Sequence, residues 1–426
     1  MKKNICLFLF CLLSLLDLQA ERLLIQMDKG QKNHLKAYGI AYRALSQGVI
    51  VDWLLNYRGG CFAMEYSGGM EALCKARGVS FLVETESRYQ EILEQIANPE
   101  ANMAVVPLEN APKIAVYSPK NKPHHPSLPW DDAVTLVLNY AKIPYTVVYD
   151  EEVLGGRLAN YDWLHLHHED FTGQYGRFYR NYNQVAWYRE QVTYEEKKAK
   201  TLGFEKVSQM KLAVAKKIKK YIIEGGFMFA MCSATDTYDI ALSAEGTDIC
   251  ASMFDGDRMA DKAQQKLRYD KCFAFHHFHL VENPLQYEFS DIDSTTEHER
   301  TLDEDKDYFK LFEFAAKWDP IPTMLTQSHT PFVKGFMGQT TAFKKKFIKK
   351  DVLILADTKA VDEARYLHNE YGKGFWTYYG GHDPEDYKHL VGEAPTDLSN
   401  YPNSAGYRLI LNNILFPAAK YSEQGW

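Results

Sequence analysis

The chain has 426 residues, of which 46% are hydrophobic and 25% are charged. This length is enough for two or three domains with hydrophobic cores. The formal net charge of −7 leaves no surplus of Lys and Arg to neutralise phosphates, so the sequence predicts no nucleic-acid partner. Aromatic residues make up 14% and include 28 tyrosines. That composition is compatible with a surface that binds carbohydrate or protein, and it is equally compatible with a thick aromatic core.

The first residues have the features of a targeting segment. Lys2 and Lys3 precede an apolar run over residues 5–16, and Ala20 offers the small residue of a cleavage site. The sequence therefore predicts a signal peptide over residues 1–20 and an exported mature protein, periplasmic or secreted. No later stretch has the length and apolar character of a membrane span.

Five cysteines follow the predicted signal peptide: Cys61, Cys74, Cys232, Cys250 and Cys272. An odd number leaves at least one thiol free, although an exported protein meets an oxidising compartment. Cys250 and Cys272 could form a disulfide, and the sequence leaves that open.

Strand and helix patterns divide the chain in two. Residues 21–112 alternate short apolar runs with amphipathic segments, which predicts an N-terminal α/β region. The alternation restarts at Lys113 and continues to residue 420. We therefore expect a second α/β domain over residues 113–420, with an aromatic insertion at 171–205 and a less regular insertion at 249–346.

The most informative stretch of this second domain surrounds Cys232. A helix is predicted over residues 207–223, because its apolar residues share one face and its lysines the other. A Gly pair and a buried strand over residues 227–231 follow, then Cys232, then small residues that could open a helix. Strand, tight turn with a nucleophile and helix form the layout of a nucleophile elbow. The alternative is an inert cysteine in the core.

Histidines form two further groups. His165, His167 and His168 lie on a predicted strand or at its end and are followed by Glu169 and Asp170. A second group consists of His276, His277 and His279. The first group could form the polar wall of a pocket, could bind a metal ion completed by the second group, or could consist of hydrogen-bonded core residues.

Three features occur in order along this domain: the strand–loop at 162–170, the Cys232 turn and the passage Gly380-Gly381-His382-Asp383-Pro384. In this order they resemble the class I glutamine amidotransferase-like superfamily, most closely its trehalose-utilisation-type branch. The resemblance covers about residues 113–420. It implies a flavodoxin-like sheet flanked by helices, with the site at the carboxyl ends of the strands. It also implies that Cys232 is the nucleophile, His382 the base and Glu385 the acid that orients the base.

On this resemblance the chain is expected to be a hydrolase that uses a Cys–His pair on an amide, an ester or a glycan-derived substrate. The substrate would be a small molecule or carbohydrate, with no cofactor and no metal ligand assigned. The substrate-binding residues would be His168, Glu169, Asp170, Ser233, Gly381 and Asp383. Two alternatives remain open: a non-catalytic carbohydrate- or protein-binding module on the same fold, and a zinc-dependent hydrolase that uses the histidine groups.

Overall fold

The computed structural model describes residues 21–120, 122–296 and 299–419. The predicted signal peptide lies outside these ranges. The described chain contains two β-sheets, one of five strands and one of ten. The change from the first sheet to the second falls between Leu108 and Ile114.

The N-terminal region folds as an antiparallel sheet with three helices. Its elements are β1 (Glu21–Ile25), α1 (His34–Ser46), β2 (Val51–Leu55), β3 (Cys61–Glu65), α2 (Gly68–Arg77), β4 (Leu82–Thr85), α3 (Glu86–Ala97) and β5 (Ala104–Leu108). The strand order is β4-β1-β3-β2-β5, and every neighbouring pair is antiparallel.

The second region is built on the ten-stranded sheet. Its elements up to the Cys232 turn are β6 (Ile114–Tyr117), α4 (Ala133–Ala141), β7 (Thr146–Val148), α5 (Asp150–Leu154), β8 (Trp163–Leu166), α6 (Tyr179–Tyr182), α7 (Ala186–Thr201), α8 (Val207–Ile223) and β9 (Phe227–Met231). The elements after the turn are α9 (Ala234–Ser243), α10 (Ser252–Asp255), α11 (Ala263–Lys266), β10 (Tyr308–Leu311), α12 (Pro320–Leu325), β11 (Phe332–Lys334), β12 (Phe343–Lys344), β13 (Leu353–Thr358), β14 (Glu363–Tyr371), β15 (Gly374–Tyr379) and α13 (Ala405–Leu415).

This sheet has a parallel half and an antiparallel half. Strands β7, β6, β8, β9 and β15 lie side by side in that order and are all parallel. Strands β14, β13, β10 and β11 extend the sheet beyond β15 with antiparallel pairing, and β12 pairs with β14. Strand β9 is buried along its whole length, because the central strand of a sheet covered on both faces has no solvent side.

The segment that leads into β9 folds as the sequence predicts. Helix α8 is present with the predicted bounds and buries its apolar face. Gly374, at the start of β15, faces the end of this helix. A Cβ atom there would come within 2.2 Å of the backbone oxygens of Ile222 and Gly226. Only glycine allows β15 to pair with β9 at this close approach.

Helix α13 connects the two regions. Arg408 on this helix is fully buried, and it donates hydrogen bonds to the Met27 carbonyl and to the Tyr38 hydroxyl, each over 3.0 Å. The hydrophobic core extends from β1–β3 and α1 through α4 to α13 without a break. The N-terminal region is therefore packed against the second region as part of one core.

The insertion predicted as less regular over 249–346 supplies β10, β11 and β12 to the sheet. The structure also answers the disulfide question that the sequence leaves open. Cys250 and Cys272 do not form a disulfide; both are buried free thiols, and each Sγ donates to a backbone carbonyl.

None of the helices in the described ranges has the length and apolar character needed to cross a membrane.

Candidate functional site

Cys232 lies at a strained turn between β9 and α9. Its φ angle is +54°, a left-handed conformation that residues other than glycine rarely adopt. A residue is held in such a conformation when the surrounding structure requires it, and these residues are concentrated at functional sites. The turn places a thiol at the carboxyl end of the central strand, as the elbow layout predicts.

Backbone amides face the sulfur atom. The N–H of Gln339 donates to Cys232 Sγ over 3.3 Å, and the N–H groups of Thr340 and Ser233 also point at it. Burial nevertheless outweighs these amides and raises the pKa of Cys232 to about 11. The resting thiol is therefore protonated at neutral pH.

The thiol lines a cavity of about 480 Å³ at the carboxyl end of the parallel strands. Aromatic side chains and loop residues form most of the wall, and His168 and His382 contribute imidazoles. The lining residues are Trp130, His168, Phe178, Asn181, Tyr182, Cys232, Tyr287, Met337, Gly338, Gln339, His382, Lys388, His389, Leu390 and Val391.

His382 reaches this cavity through a glycine turn after β15. Gly381 has a φ of +98°, and a Cβ atom there would lie 2.4 Å from the Phe336 ring. The His382 N–H donates to the Met337 carbonyl over 2.9 Å. Residues 337–340, which we call the bridging loop, therefore contact both the sulfur and the His382 backbone. No hydrogen bond of the described residues joins Cys232 Sγ to the His382 ring.

His382 lies within a cluster of imidazoles. Its ring centroid is 4.4 Å from those of His167 and His389 and 5.6 Å from that of His168. Burial, reinforced by His167 and His168, holds the pKa of His382 well below its usual range. His382 Nε2, His168 Nδ1 and His167 Nε2 have no hydrogen-bond partner. Imidazole nitrogens without a partner can accept a proton or bind a metal ion.

Carboxylates surround the outer side of the cluster. Asp132 lies 3.2 Å from His165 Nε2 and 3.5 Å from His167 Nδ1. Asp131 and Asp386 each lie 2.9 Å from a ring nitrogen of His389. Burial lowers the pKa of His389, but these two carboxylates outweigh it and raise the pKa to about 9.

None of the other residues predicted for catalysis and binding lines the cavity. Glu385 interacts with Ser404, and its N–H donates to Asp383 Oδ1 over 2.9 Å. No hydrogen bond in the described ranges joins Glu385 to His382. Asp383 is fully buried, and Ser233 Oγ is buried without a hydrogen-bond partner.

Glu169 and Asp170 lie behind His168, against a much smaller cavity. Asp170 accepts the backbone N–H groups of Thr172, Gln174 and Gly176 over 2.7–3.0 Å. Its contacts stabilise the loop that enters the aromatic insertion. Burial raises the pKa of Glu169 well above its usual range.

The second histidine group does not join the first. His279 is on the surface beside Asp291. His276 contacts His277, and His277 contacts Tyr269. Asp131, Asp132, His389 and Gln339 also lie at the site, and no local sequence pattern marks them as site residues. Asp132 caps the N-terminus of α4 by accepting the Thr135 N–H.

Comparisons with known proteins identify no family. No family model and no curated protein matches the chain. Among solved structures, it is similar to the cytoplasmic protein STM3548 from Salmonella typhimurium, with a TM-score of 0.35 and 9% identity over 72% of this chain and 100% of that one. It is also similar to the cytoplasmic protein STM1381 from Salmonella typhimurium LT2, with a TM-score of 0.34 and 12% identity over 68% and 89%. A third likeness is to Gan42B, a GH42 β-galactosidase, with a TM-score of 0.25 and 12% identity over 64% and 28%.

The mixed α/β fold is seen in the chain's own sheets and helices, and these likenesses carry no function to this chain. The prediction of an exported, periplasmic or secreted location is contradicted by the first two titles, which name cytoplasmic proteins. That prediction is withdrawn.

Proposed function

We propose that the chain is an amidotransferase-like hydrolase that acts in the 480 Å³ cavity, with Cys232 as its nucleophile. One observation carries the proposal. Cys232 is held at positive φ at the end of β9, facing backbone amides, in the same cavity that receives His382. Such a turn exposes a nucleophile to a substrate, whereas an inert core cysteine has no need of a strained backbone.

The order of the parallel strands supports the assignment of the fold. Across the sheet they lie in the order β7-β6-β8-β9-β15. If β6 is counted as strand 1 and the others follow along the chain, this order is 2-1-3-4-5, which is the flavodoxin-like order. In open sheets of this kind, ligands bind outside the carboxyl ends of the strands. His168, Cys232 and His382 follow the carboxyl ends of β8, β9 and β15, where the amidotransferase-like superfamily has its site.

The proposed chemistry is acyl transfer to water through a thioester. Cys232 Sγ attacks the substrate carbonyl carbon, and its proton passes to His382. His382 then protonates the departing amine or alcohol, so that the C–N or C–O bond breaks. Water hydrolyses the thioester, releases the acid and restores the thiol. The backbone N–H groups of Ser233 and Gln339 face the sulfur, and in this proposal they donate to the negatively charged oxygen that forms during the attack.

The cavity favours a small substrate with an apolar or sugar-like face. Its volume is within the range of small-molecule sites. Trp130, Phe178, Tyr182 and Tyr287 provide flat aromatic surfaces along its wall, and such surfaces bind the apolar faces of carbohydrates and acyl groups. We therefore infer an amide, ester or glycan-derived substrate.

A thiol-reactive substrate mimic tests this proposal. A small chloroacetamide probe should label the wild-type chain at Cys232, and Cys232→Ala should lose that label together with hydrolysis of a panel of amide and ester substrates. Cys74→Ala removes a buried thiol outside the cavity. This variant should keep both the label at Cys232 and the hydrolysis. Equal labelling of the wild type and Cys232→Ala would overturn the proposal.

A non-catalytic binding module is the second candidate, and the aromatic insertion favours it. Trp187 packs against Trp130 and Phe178 with ring centroids 5.2 and 5.7 Å apart. This stack extends the cavity wall outward as a continuous aromatic surface. Glycan binding that survives Cys232→Ser but is lost in Trp187→Ala, without hydrolysis by the wild type, would support this candidate over the hydrolase.

A further inference from the structure

We propose that His167, His168 and His382 bind a zinc-class divalent metal ion, with an open coordination position that faces the cavity. One ring nitrogen of each residue lies within 4.8 Å of the other two. His167 and His168 immediately follow β8, and His382 arrives from the end of β15. Three imidazoles from two strands of one sheet thus converge on a single point.

The spacing is close to that of a bound ion. Zinc–nitrogen bonds are about 2.0–2.1 Å long, so two tetrahedral ligands are roughly 3.4 Å apart. Nitrogens within 4.8 Å of one another would therefore have to approach by up to about 1.4 Å to reach this separation. The backbone of His168 is held at a φ of +23°.

Unpaired nitrogens provide the second, independent observation. His167 is 1% exposed and His382 7% exposed, and each has a ring nitrogen without a hydrogen-bond partner, as does His168. A buried polar atom that is left unpaired destabilises the folded state. A cation would satisfy all three imidazoles at once.

The surrounding residues fit the same assignment. Asp132 lies 3.5 Å from His167 Nδ1, close to but not within the hydrogen-bonded carboxylate–histidine contact that orients metal ligands. Asp131 and Asp386 add negative charge behind His389. Three imidazole ligands and a cavity on the fourth side are typical of a zinc site that activates water or polarises a substrate oxygen.

The ion gives His382 a role that goes beyond the proposed thiol chemistry. A ring nitrogen bound to a cation cannot accept the Cys232 proton. In this proposal the ion-free chain therefore carries out thiol-dependent hydrolysis, and the ion-loaded chain does not. The two proposals can fail separately, because the first is read by labelling of Cys232 and the second by metal content.

Zinc binding to the full chain tests the site. The protein is stripped with a chelator, loaded with zinc, desalted and analysed for metal, and its affinity is measured by competition with a chromophoric chelator. We expect about one zinc per chain. His168 is the least buried of the three proposed ligands. His168→Ala should lower the affinity for zinc by more than the roughly 10–100-fold that is lost when a residue supporting a ligand is removed. His279→Gln, on the surface, should bind like the wild type.

Four controls keep the result interpretable. Circular dichroism checks that His168→Ala is folded, and His382→Gln repeats the test from the other strand. Cobalt loading of the wild type should give the visible absorption of a low-coordinate nitrogen site without a thiolate charge-transfer band, and Cys232→Ser should keep its zinc. Wild-type zinc far below one equivalent, equal affinity of His168→Ala and His279→Gln, or loss of zinc in Cys232→Ser would overturn the proposal.

Discussion

The imidazole of His389 stacks on that of His382, with ring centroids 4.4 Å apart and ring planes 15° apart. Asp131 and Asp386 fix the His389 ring from two sides. Within the described ranges no hydrogen bond fixes the His382 ring, which lies 4.4 Å from the rings of both His389 and His167. We therefore regard His389 as a positioning residue for His382.

Removing this stack should loosen the proposed metal site. His389→Ala is expected to weaken zinc binding by about 10–100-fold, as for other residues that orient metal ligands. His389→Phe keeps an aromatic ring against His382 and should retain most of the affinity. Chelator competition measures both variants. Equal weakening in the two variants would indicate that the stack does not position His382.

The pH dependence of Cys232 labelling follows from its pKa of about 11. The thiolate is the reactive form, so the labelling rate follows its fraction. Between pH 8 and pH 10 that fraction rises roughly 90-fold for a pKa of 11, against roughly fourfold for an ordinary thiol near 8.5. The labelling rate of Cys232 is obtained by subtracting the labelling rate of Cys232→Ala from that of the wild type, both measured on chelator-treated protein. A rate that levels off below pH 9 would contradict the raised pKa.

Asp239 on α9 should be essential for stability. Its carboxylate accepts the backbone N–H groups of Phe273, Ala274 and Phe275 over 2.7–3.0 Å. Asp239→Ala would leave three buried donors unpaired, at about 1–3 kcal/mol each. Urea unfolding should therefore show a loss of at least about 3 kcal/mol. Exposed Asp270→Ala should stay within about 0.5 kcal/mol of the wild type, and similar losses in both would refute this account.

Asp293 should make the chain less stable as the pH rises. Burial raises its pKa from 3.8 to about 7, although the backbone N–H groups of Thr341 and Ala342 donate to it. The folded chain binds the proton more tightly than the unfolded chain. The resulting stabilisation is complete below about pH 4 and is lost as the pH rises through 7.

Asp293→Asn removes this titration and keeps an acceptor oxygen. The free energy of unfolding of the wild type, relative to the variant, should fall between pH 4 and pH 8 by on the order of 4 kcal/mol at most. Urea titrations of both proteins across this range measure the difference. A difference that does not change with pH would show that Asp293 titrates normally.

The local elements of the site could be predicted from the sequence. The periodicity of α8, the apolar run of β9 and the small residues after Cys232 each give a local signal, and the structure has the helix, the strand and the turn. The antiparallel extension could not be predicted in the same way. Its strand β10 follows an acidic surface stretch and pairs with β13, a partner that no local pattern reveals.

The histidine cluster shows where prediction from local patterns stops. His167 and His382 occur in stretches that already suggested a site. Asp131, Asp132 and His389 do not, because their sequence neighbours show neither a strand end nor a motif. These residues meet only because parallel strands bring their following loops to one edge of the sheet. Cys232 was expected to pair with His382, and its sulfur instead accepts the backbone N–H of Gln339.

The bridging loop has a consequence for engineering and for comparison with other proteins. It belongs to the inserted segment rather than to the parallel strands, yet it supplies the amide on the sulfur and the carbonyl that holds the His382 backbone. A minimal domain made by deleting residues 249–346 would keep both the cysteine and the histidine and lose the surroundings that relate them. A protein that shares these strands without such an insertion should therefore not be assumed to share this chemistry.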